Sequence, residues 1–87
     1  MKQVEIYTSA FCGYCAAAKR LLRDKGAEYA EIDVGREPER RAEMIQRADG
    51  GRTVPQIFIG DTHVGGCDDL FDLDQRGGLM PLLGAPA

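Results

Sequence analysis

Apolar positions change their period several times along the chain, and each change marks an element. Val4-Glu5-Ile6-Tyr7 alternates and is β-prone, which predicts a strand over residues 3–8. From Tyr14 to Lys25 the spacing turns helical. Ala18, Leu21 and Leu22 recur at i, i+3 and i+4, while Lys19, Arg20 and Arg23 face outward. Ala16-Ala17-Ala18 are strong helix formers, and Gly26 suits the residue just past a helix end. Residues 27–34 return to a strand pattern, with Ala30, Ile32 and Val34 on one face. Gly35 breaks that strand. Pro38 suits the first turn of a second helix, whose apolar stripe is Ala42, Ile45 and Ala48 with Met44 beside it, and Gly50-Gly51 closes it. Gln56–Ile59 and Thr62–Val64 read as short strands joined by a tight hairpin at Gly60-Asp61. Gly65-Gly66 leads into a last helix. Asp68 and Asp69 sit in its first turn, where acidic side chains favour the positive helix end. Leu70, Phe71, Leu73 and Leu79 supply its apolar side, and the tail to Ala87 is expected to be partly loose.

The resulting order is β-α-β-α-β-β-α. A β-α-β unit is parallel and right-handed, and the last two strands form an antiparallel hairpin. The expected fold class is therefore α/β, a mixed four-stranded sheet flanked by helices. With 87 residues the chain is expected to form a single domain over 1–87.

Composition narrows the function classes. The chain is 44% hydrophobic and 29% charged, which argues for a globular protein and against disorder. Its formal net charge is −3, so a nucleic-acid partner is not expected. No apolar run approaches the roughly 18–20 residues of a membrane span, so no membrane partner is expected. Glu5 sits where the apolar core of a secretory signal would lie. The expected localisation is cytoplasmic.

Three cysteines remain: Cys12, Cys15 and Cys67. A secreted disulfide scaffold more often carries an even, denser set. In a reducing compartment the C-x-x-C spacing of Cys12-Gly13-Tyr14-Cys15 points to redox chemistry or metal binding. A free cysteine is mostly protonated at neutral pH, with a pKa near ~8.5. Cys12 precedes a helix, where unpaired N–H groups and the helix dipole favour an anion. Cys15 lies one turn further on the same side. Cys12 is thereby placed to attack a disulfide, and Cys15 to resolve the mixed disulfide into Cys12–Cys15. Incidental buried thiols fit less well, because the motif follows a strand and opens a helix. A zinc site of Cys12, Cys15, His63 and Cys67 fits poorly too, since His-x-x-x-Cys is not a common ligand spacing. His63 reads as an exposed or edge-strand residue, and Cys67 as a small residue at a helix start.

Two further constellations accompany the thiols. In Thr53-Val54-Pro55 the residue before proline is held extended. Such a segment can offer its backbone to a peptide laid alongside. In Gly65-Gly66-Cys67-Asp68-Asp69 two glycines admit close backbone approach, and the helix start favours a carboxylate.

Taken together these stretches resemble the short dithiol glutaredoxins, nearest to the bacterial glutaredoxin 3 type. The resemblance runs through Val4-Glu5-Ile6-Tyr7-Thr8, Cys12-Gly13-Tyr14-Cys15, Thr53–Ile59 and Gly65–Leu70, with Arg76-Gly77-Gly78-Leu79 also fitting, and covers about residues 3–83. It implies a thioredoxin fold, a cis Pro55 and glutathione as the reductant. It implies an enzyme: a thiol-disulfide oxidoreductase acting on disulfide-containing or glutathionylated proteins, and a monomer. Carried over, Cys12 is the nucleophile and Cys15 the resolving thiol. Tyr14 flanks the glutathione thiol. Thr53, Val54 and Pro55 bind its cysteinyl unit, with Val54 pairing backbone to backbone. Gly66, Cys67 and Asp68 hold its γ-glutamyl end, with backbone N–H groups on the carboxylate and Asp68 on the ammonium. Arg52 or Arg41 is the cation for the glycyl carboxylate. Two departures from the family pattern stand out. Ser9 and Ala10 occupy positions where many relatives carry Lys, and Gly13 stands in place of Pro. The second departure is similar to glutaredoxins that share a [2Fe–2S] cluster between two subunits through their first cysteine, so Cys12 as a cluster ligand in a bridged dimer is the alternative. The absence of Trp argues against a thioredoxin.

Overall fold

The computed structural model describes residues 1–84. In chain order the elements are β1 (Val4–Thr8), α1 (Gly13–Asp24), β2 (Tyr29–Asp33), α2 (Glu39–Arg47), β3 (Gln56–Ile59), β4 (Thr62–Gly65), α3 (Cys67–Gln75) and α4 (Leu79–Leu83). The sheet order is β2-β1-β3-β4. β1 pairs parallel with β2 and antiparallel with β3, and β3 pairs antiparallel with β4. This is the mixed sheet and hairpin that the hydrophobic pattern predicts.

Alternation along the strands sorts the core onto two faces. Val4, Ile6, Ile57 and Ile59 point to one face and pack with Ala18, Leu22, Leu70, Leu79 and Leu83. Tyr7, Ile32, Val34 and Phe58 point to the other and pack with Met44 and Ala48. α1 ends as its sequence dictates. Gly26 has φ +76, its N–H donates to Arg23 O at 2.9 Å, and the Ala27 N–H donates to Leu22 O at 3.0 Å. These two bonds satisfy the last carbonyls of the helix.

Three expectations are corrected. Ala30 is exposed, whereas Ile32 in β2 and Val34 just after it are buried. Ala42 is also exposed; the stripe of α2 is Met44 and Ala48, four residues apart, with Ile45 half-buried. Leu79 does not belong to the last predicted helix. It starts a separate short helix, α4, which buries Leu79 and Leu83. The tail is therefore ordered as far as α4, and the rest of the expected loose ending, 85–87, lies outside the described residues. Among the described residues no helix is long and apolar enough to cross a membrane.

Candidate active site

The end of β1, the start of β3 and the end of β4 lie at the same edge of the sheet, as the antiparallel registers require. The segments leaving that edge carry the thiols, the cis proline and the paired glycines.

Cys12 caps α1 in an extended conformation, with φ −106 and ψ 106. Its Sγ accepts a hydrogen bond from the Cys15 backbone N–H at 3.1 Å, so the sulfur does the work that a Ser or Asp oxygen does at ordinary helix starts. The same sulfur lies 3.9 Å from the Val54 carbonyl oxygen, toward which its thiol donates. Phe11 before it has φ +58 and is fully exposed. Cys15 is buried, with only 2% exposure. Burial, then the hydrogen bond with Cys12, pushes its thiol up to about 12. The two thiols of one motif thus sit in opposite environments, one at a helix mouth and one sealed beneath it.

A groove of about 500 Å³ runs along Val54; Cys12 does not line it but lies 3.9 Å from the Val54 carbonyl oxygen. Tyr14, Thr53, Val54, Pro55, Gly66, Cys67 and Asp68 line it, all of them expected from the sequence. The Val54–Pro55 bond is cis. Gly65 has φ +117, and a Cβ there would fall 2.3 Å from Asp69 Oδ2, so no other residue fits this turn. Asp69 turns back and accepts the Gly66 N–H at 2.9 Å. That donor is therefore engaged within the protein. The N–H groups of Cys67 and Asp68, in the first turn of α3, lack intrahelical acceptors and face a helix N-terminus favourable to anions. Cys67 is buried and its thiol is pushed up by burial, then by the charges of Asp68 and Cys12.

The arginines stand apart. Arg52 is exposed and does not line the groove, although Gly51 and Thr53 on either side of it do. Arg41 donates to the Arg52 carbonyl oxygen at 2.7 Å. Cys12, Cys15, His63 and Cys67 do not form a ligand set, and among the described residues no cluster of three or more His, Cys, Asp or Glu is placed to hold a metal ion. Two groove residues escape the sequence reading: Gln56, buried at the start of β3, and His63 on edge strand β4, exposed as expected. Gln56 lies in the Thr53–Ile59 stretch but was given no role there, and the β3–β4 pairing brings it to His63.

Cys12 lines a second groove, together with Phe11, Cys15, Lys19, Glu31 and Asp33. Thr8 Oγ1 donates to Glu31 Oε2 at 2.7 Å and Lys19 Nζ lies 3.0 Å from it. The Thr8 hydrogen bond, with Lys19, holds the Glu31 carboxyl below the ordinary range.

Comparison with known proteins fits this geometry. Residues 4–64 match the glutaredoxin family model. The chain is 54% identical over 83 residues to glutaredoxin 3 of Escherichia coli, covering 95% of this chain and 99% of that protein. Among solved structures it is similar to a buckwheat glutaredoxin–glutathione complex, with TM-score 0.85, 37% identity, and coverage of 97% of this chain and 81% of that one. It is also similar to a structure described as metal binding of glutaredoxins, with TM-score 0.73, 55% identity, and coverage of 98% of this chain and 91% of that one.

Proposed function

The chain belongs to the glutaredoxin family of glutathione-dependent disulfide oxidoreductases, and from that premise we propose that it reduces glutathione mixed disulfides and protein disulfides through Cys12 and Cys15. The single observation that carries this reading is the Cys12 sulfur. It is held by the Cys15 N–H at 3.1 Å and opens beside Val54 and its groove. The Cys15 N–H aimed at this sulfur seats it at the helix start, and a cysteine attacks a disulfide as its thiolate.

On a glutathionylated protein, the Cys12 thiolate attacks the glutathione sulfur. The protein thiolate leaves and takes up a proton. A second glutathione thiolate then attacks the Cys12–glutathione disulfide, giving oxidised glutathione and restoring Cys12. On a protein disulfide, Cys12 forms the mixed disulfide with the substrate. Cys15 loses its proton and attacks Cys12 Sγ, which gives the Cys12–Cys15 disulfide and frees the second substrate thiol. Two glutathiones then reduce that disulfide.

The groove suits the cysteinyl and γ-glutamyl parts of glutathione. Tyr14 and Val54 flank the sulfur, with Thr53 and Pro55 completing that wall. The N–H groups of Cys67 and Asp68 meet the γ-glutamyl carboxylate, and the Asp68 side chain meets the ammonium. Gly66 contributes its lack of a side chain, because its N–H serves Asp69. Neither Arg41 nor Arg52 lines the groove, so the glycyl carboxylate meets neither of these cations within it. The cytoplasm, where thiols stay reduced, is the proposed setting.

The test is a coupled assay with glutathione, glutathione reductase and NADPH on a small mixed disulfide. Turnover that saturates with glutathione is expected. A protein that instead accepts electrons only from a thioredoxin-type reductase would overturn the reading.

A second reading is favoured by one feature of the motif. Gly13 presents no Cβ, and nothing lies within 4 Å of where one would be. Cys12 beside it is partly exposed. This open approach suits a [2Fe–2S] cluster held by Cys12 of two copies and two glutathiones. Visible absorbance of protein purified without oxygen, together with a dimeric mass, separates it from the first reading.

A further inference from the structure

Gln56 is buried, with 5% exposure, and every polar atom of its side chain has a partner. Its Nε2 donates to the Thr53 carbonyl oxygen at 3.0 Å and approaches Thr53 Oγ1 at 3.4 Å. A carbonyl oxygen only accepts, so the amide nitrogen must face Thr53. The amide oxygen then faces His63, whose Nε2 lies 2.7 Å away, and His63 must be the donor. The imidazole is itself held. It stacks on Phe58 with centroids 4.8 Å apart and an interplanar angle of 23°. The Arg47 guanidinium also lies over that ring, 4.1 Å from its centroid. Arg47 is anchored by Glu5 at 3.0 Å and donates to the Tyr7 hydroxyl at 2.8 Å. The pairing of β3 with β4 is irregular between Ile57 and Phe58. Phe58 opposes His63 while Ile57 opposes Gly65, so Val64 is the extra residue. The hairpin register sets His63 opposite Phe58, and the bulge that follows moves Gly65 from opposite Gln56 to opposite Ile57.

We propose that His63 is a positioning residue for the Thr53–Pro55 wall of the groove, acting through Gln56. The inference rests on the reading of that groove as the glutathione site. The Thr53 carbonyl sets the orientation of the Gln56 amide, and His63 supplies the donor that pairs the amide oxygen and so holds the amide against Thr53. The direction of the Val54 backbone follows. Without the His63 donor the amide oxygen is unpaired in a buried place. The amide then rotates or draws in water, and the Thr53 tether loosens.

Three variants test this: His63→Phe, Gln56→Leu and the double variant. His63→Phe keeps the stack on Phe58 and deletes only the donor. Loss of one such hydrogen bond is expected to raise KM for glutathione roughly three- to tenfold, with kcat changed less than about twofold. Gln56→Leu is expected to do at least as much. Because His63 acts through Gln56, the double variant is expected to match Gln56→Leu alone. Backbone order parameters of Thr53 and Val54 in the ligand-free protein are expected to fall in His63→Phe. A His63→Phe protein with unchanged KM and unchanged order parameters would overturn the proposal, and so would effects that add in the double variant. If the wild-type protein shows no glutathione turnover, the reading of the groove fails, while the order parameters still decide whether His63 holds the loop.

Discussion

The two faces of the sheet are built from different materials. One face is apolar at its centre, where Val4, Ile6, Ile57 and Ile59 meet Leu22, Leu70 and Leu79, with Thr8, Glu31 and Lys19 as its polar margin. The helices it seats are α1 and α3, whose N-termini carry Cys12 and the N–H groups of Cys67 and Asp68. The other face is aromatic and charged. Tyr7 meets Phe58 edge-on at 5.8 Å, and its hydroxyl bonds both Glu43 and Arg47. That face seats only α2 and reaches the groove through His63 and Gln56. The difference teaches a division of labour. Apolar packing, which is non-directional and strong, sets where the two helix ends lie. Directional polar contacts, each worth little, aim a loop whose backbone must present itself in one orientation.

The comparison breaks if the two faces respond alike to truncation. Leu22→Ala on the apolar face is expected to cost about 2–5 kcal/mol, since it opens a cavity in a fully buried site. Tyr7→Phe on the other face is expected to cost about 1 kcal/mol, the worth of a typical hydrogen bond, because it keeps the ring packing. Chemical denaturation measures both, and equal losses would contradict the division.

Alkaline titration sharpens it. Cys15 on the apolar side is pushed up to about 12 from an ordinary 9.0. Between those values the unfolded chain has released a proton that the folded chain still holds. The folded state is therefore fully favoured below about pH 9 and loses that advantage as pH rises toward 12. Reduced wild-type protein is expected to lose stability between about pH 9 and pH 11 more steeply than Cys15→Ser does. Parallel curves would show that the buried thiol is not the cause.

Smaller effects belong to the groove. Asp68→Ala is expected to raise KM for glutathione several-fold and leave the fold intact, while Asp69→Ala acts on stability through the lost Gly66 contact. An analogue lacking the γ-glutamyl amine is expected to treat wild type and Asp68→Ala alike. Smallest is Phe11→Gly. Phe11 holds φ +58 without burying its ring, so glycine is expected to raise stability by about 1 kcal/mol. A decrease would show that the ring contributes more than the backbone costs.

Element positions were legible wherever period and punctuation agreed. Gly26, Gly60-Asp61 and Gly65-Gly66 mark boundaries that the structure reproduces within about one residue, as turn chemistry allows. α4 was not legible, because Gly77, Gly78 and Pro81 read as breakers. Pro81 in fact sits in the first turn of α4, where a missing N–H costs nothing, and Leu79 and Leu83 lie one turn apart on the buried side. Ala42 misled because alanine fits a stripe or a surface equally well. At the site, the thiols, Val54, Pro55 and the glycine turn were legible because their chemistry is local in sequence. The contact of Gln56 with His63 was not: they lie seven residues apart on two strands, and a contact across strands depends on the hairpin register rather than on a local pattern. The engagement of the Gly66 N–H by Asp69 was likewise hidden, because a capping side chain and a ligand carboxylate compete for the same donor.

The central claim is that one motif holds two unlike thiols, an attacking Cys12 at the helix mouth and a buried, resolving Cys15. It is tested most directly by assaying Cys12→Ser and Cys15→Ser side by side, once on a glutathione mixed disulfide and once on a protein disulfide. Cys12→Ser is expected to lose both reactions. Cys15→Ser is expected to keep the first, because glutathione itself resolves a one-thiol intermediate, and to lose most of the second. Equal loss in both variants on the mixed disulfide would contradict the account.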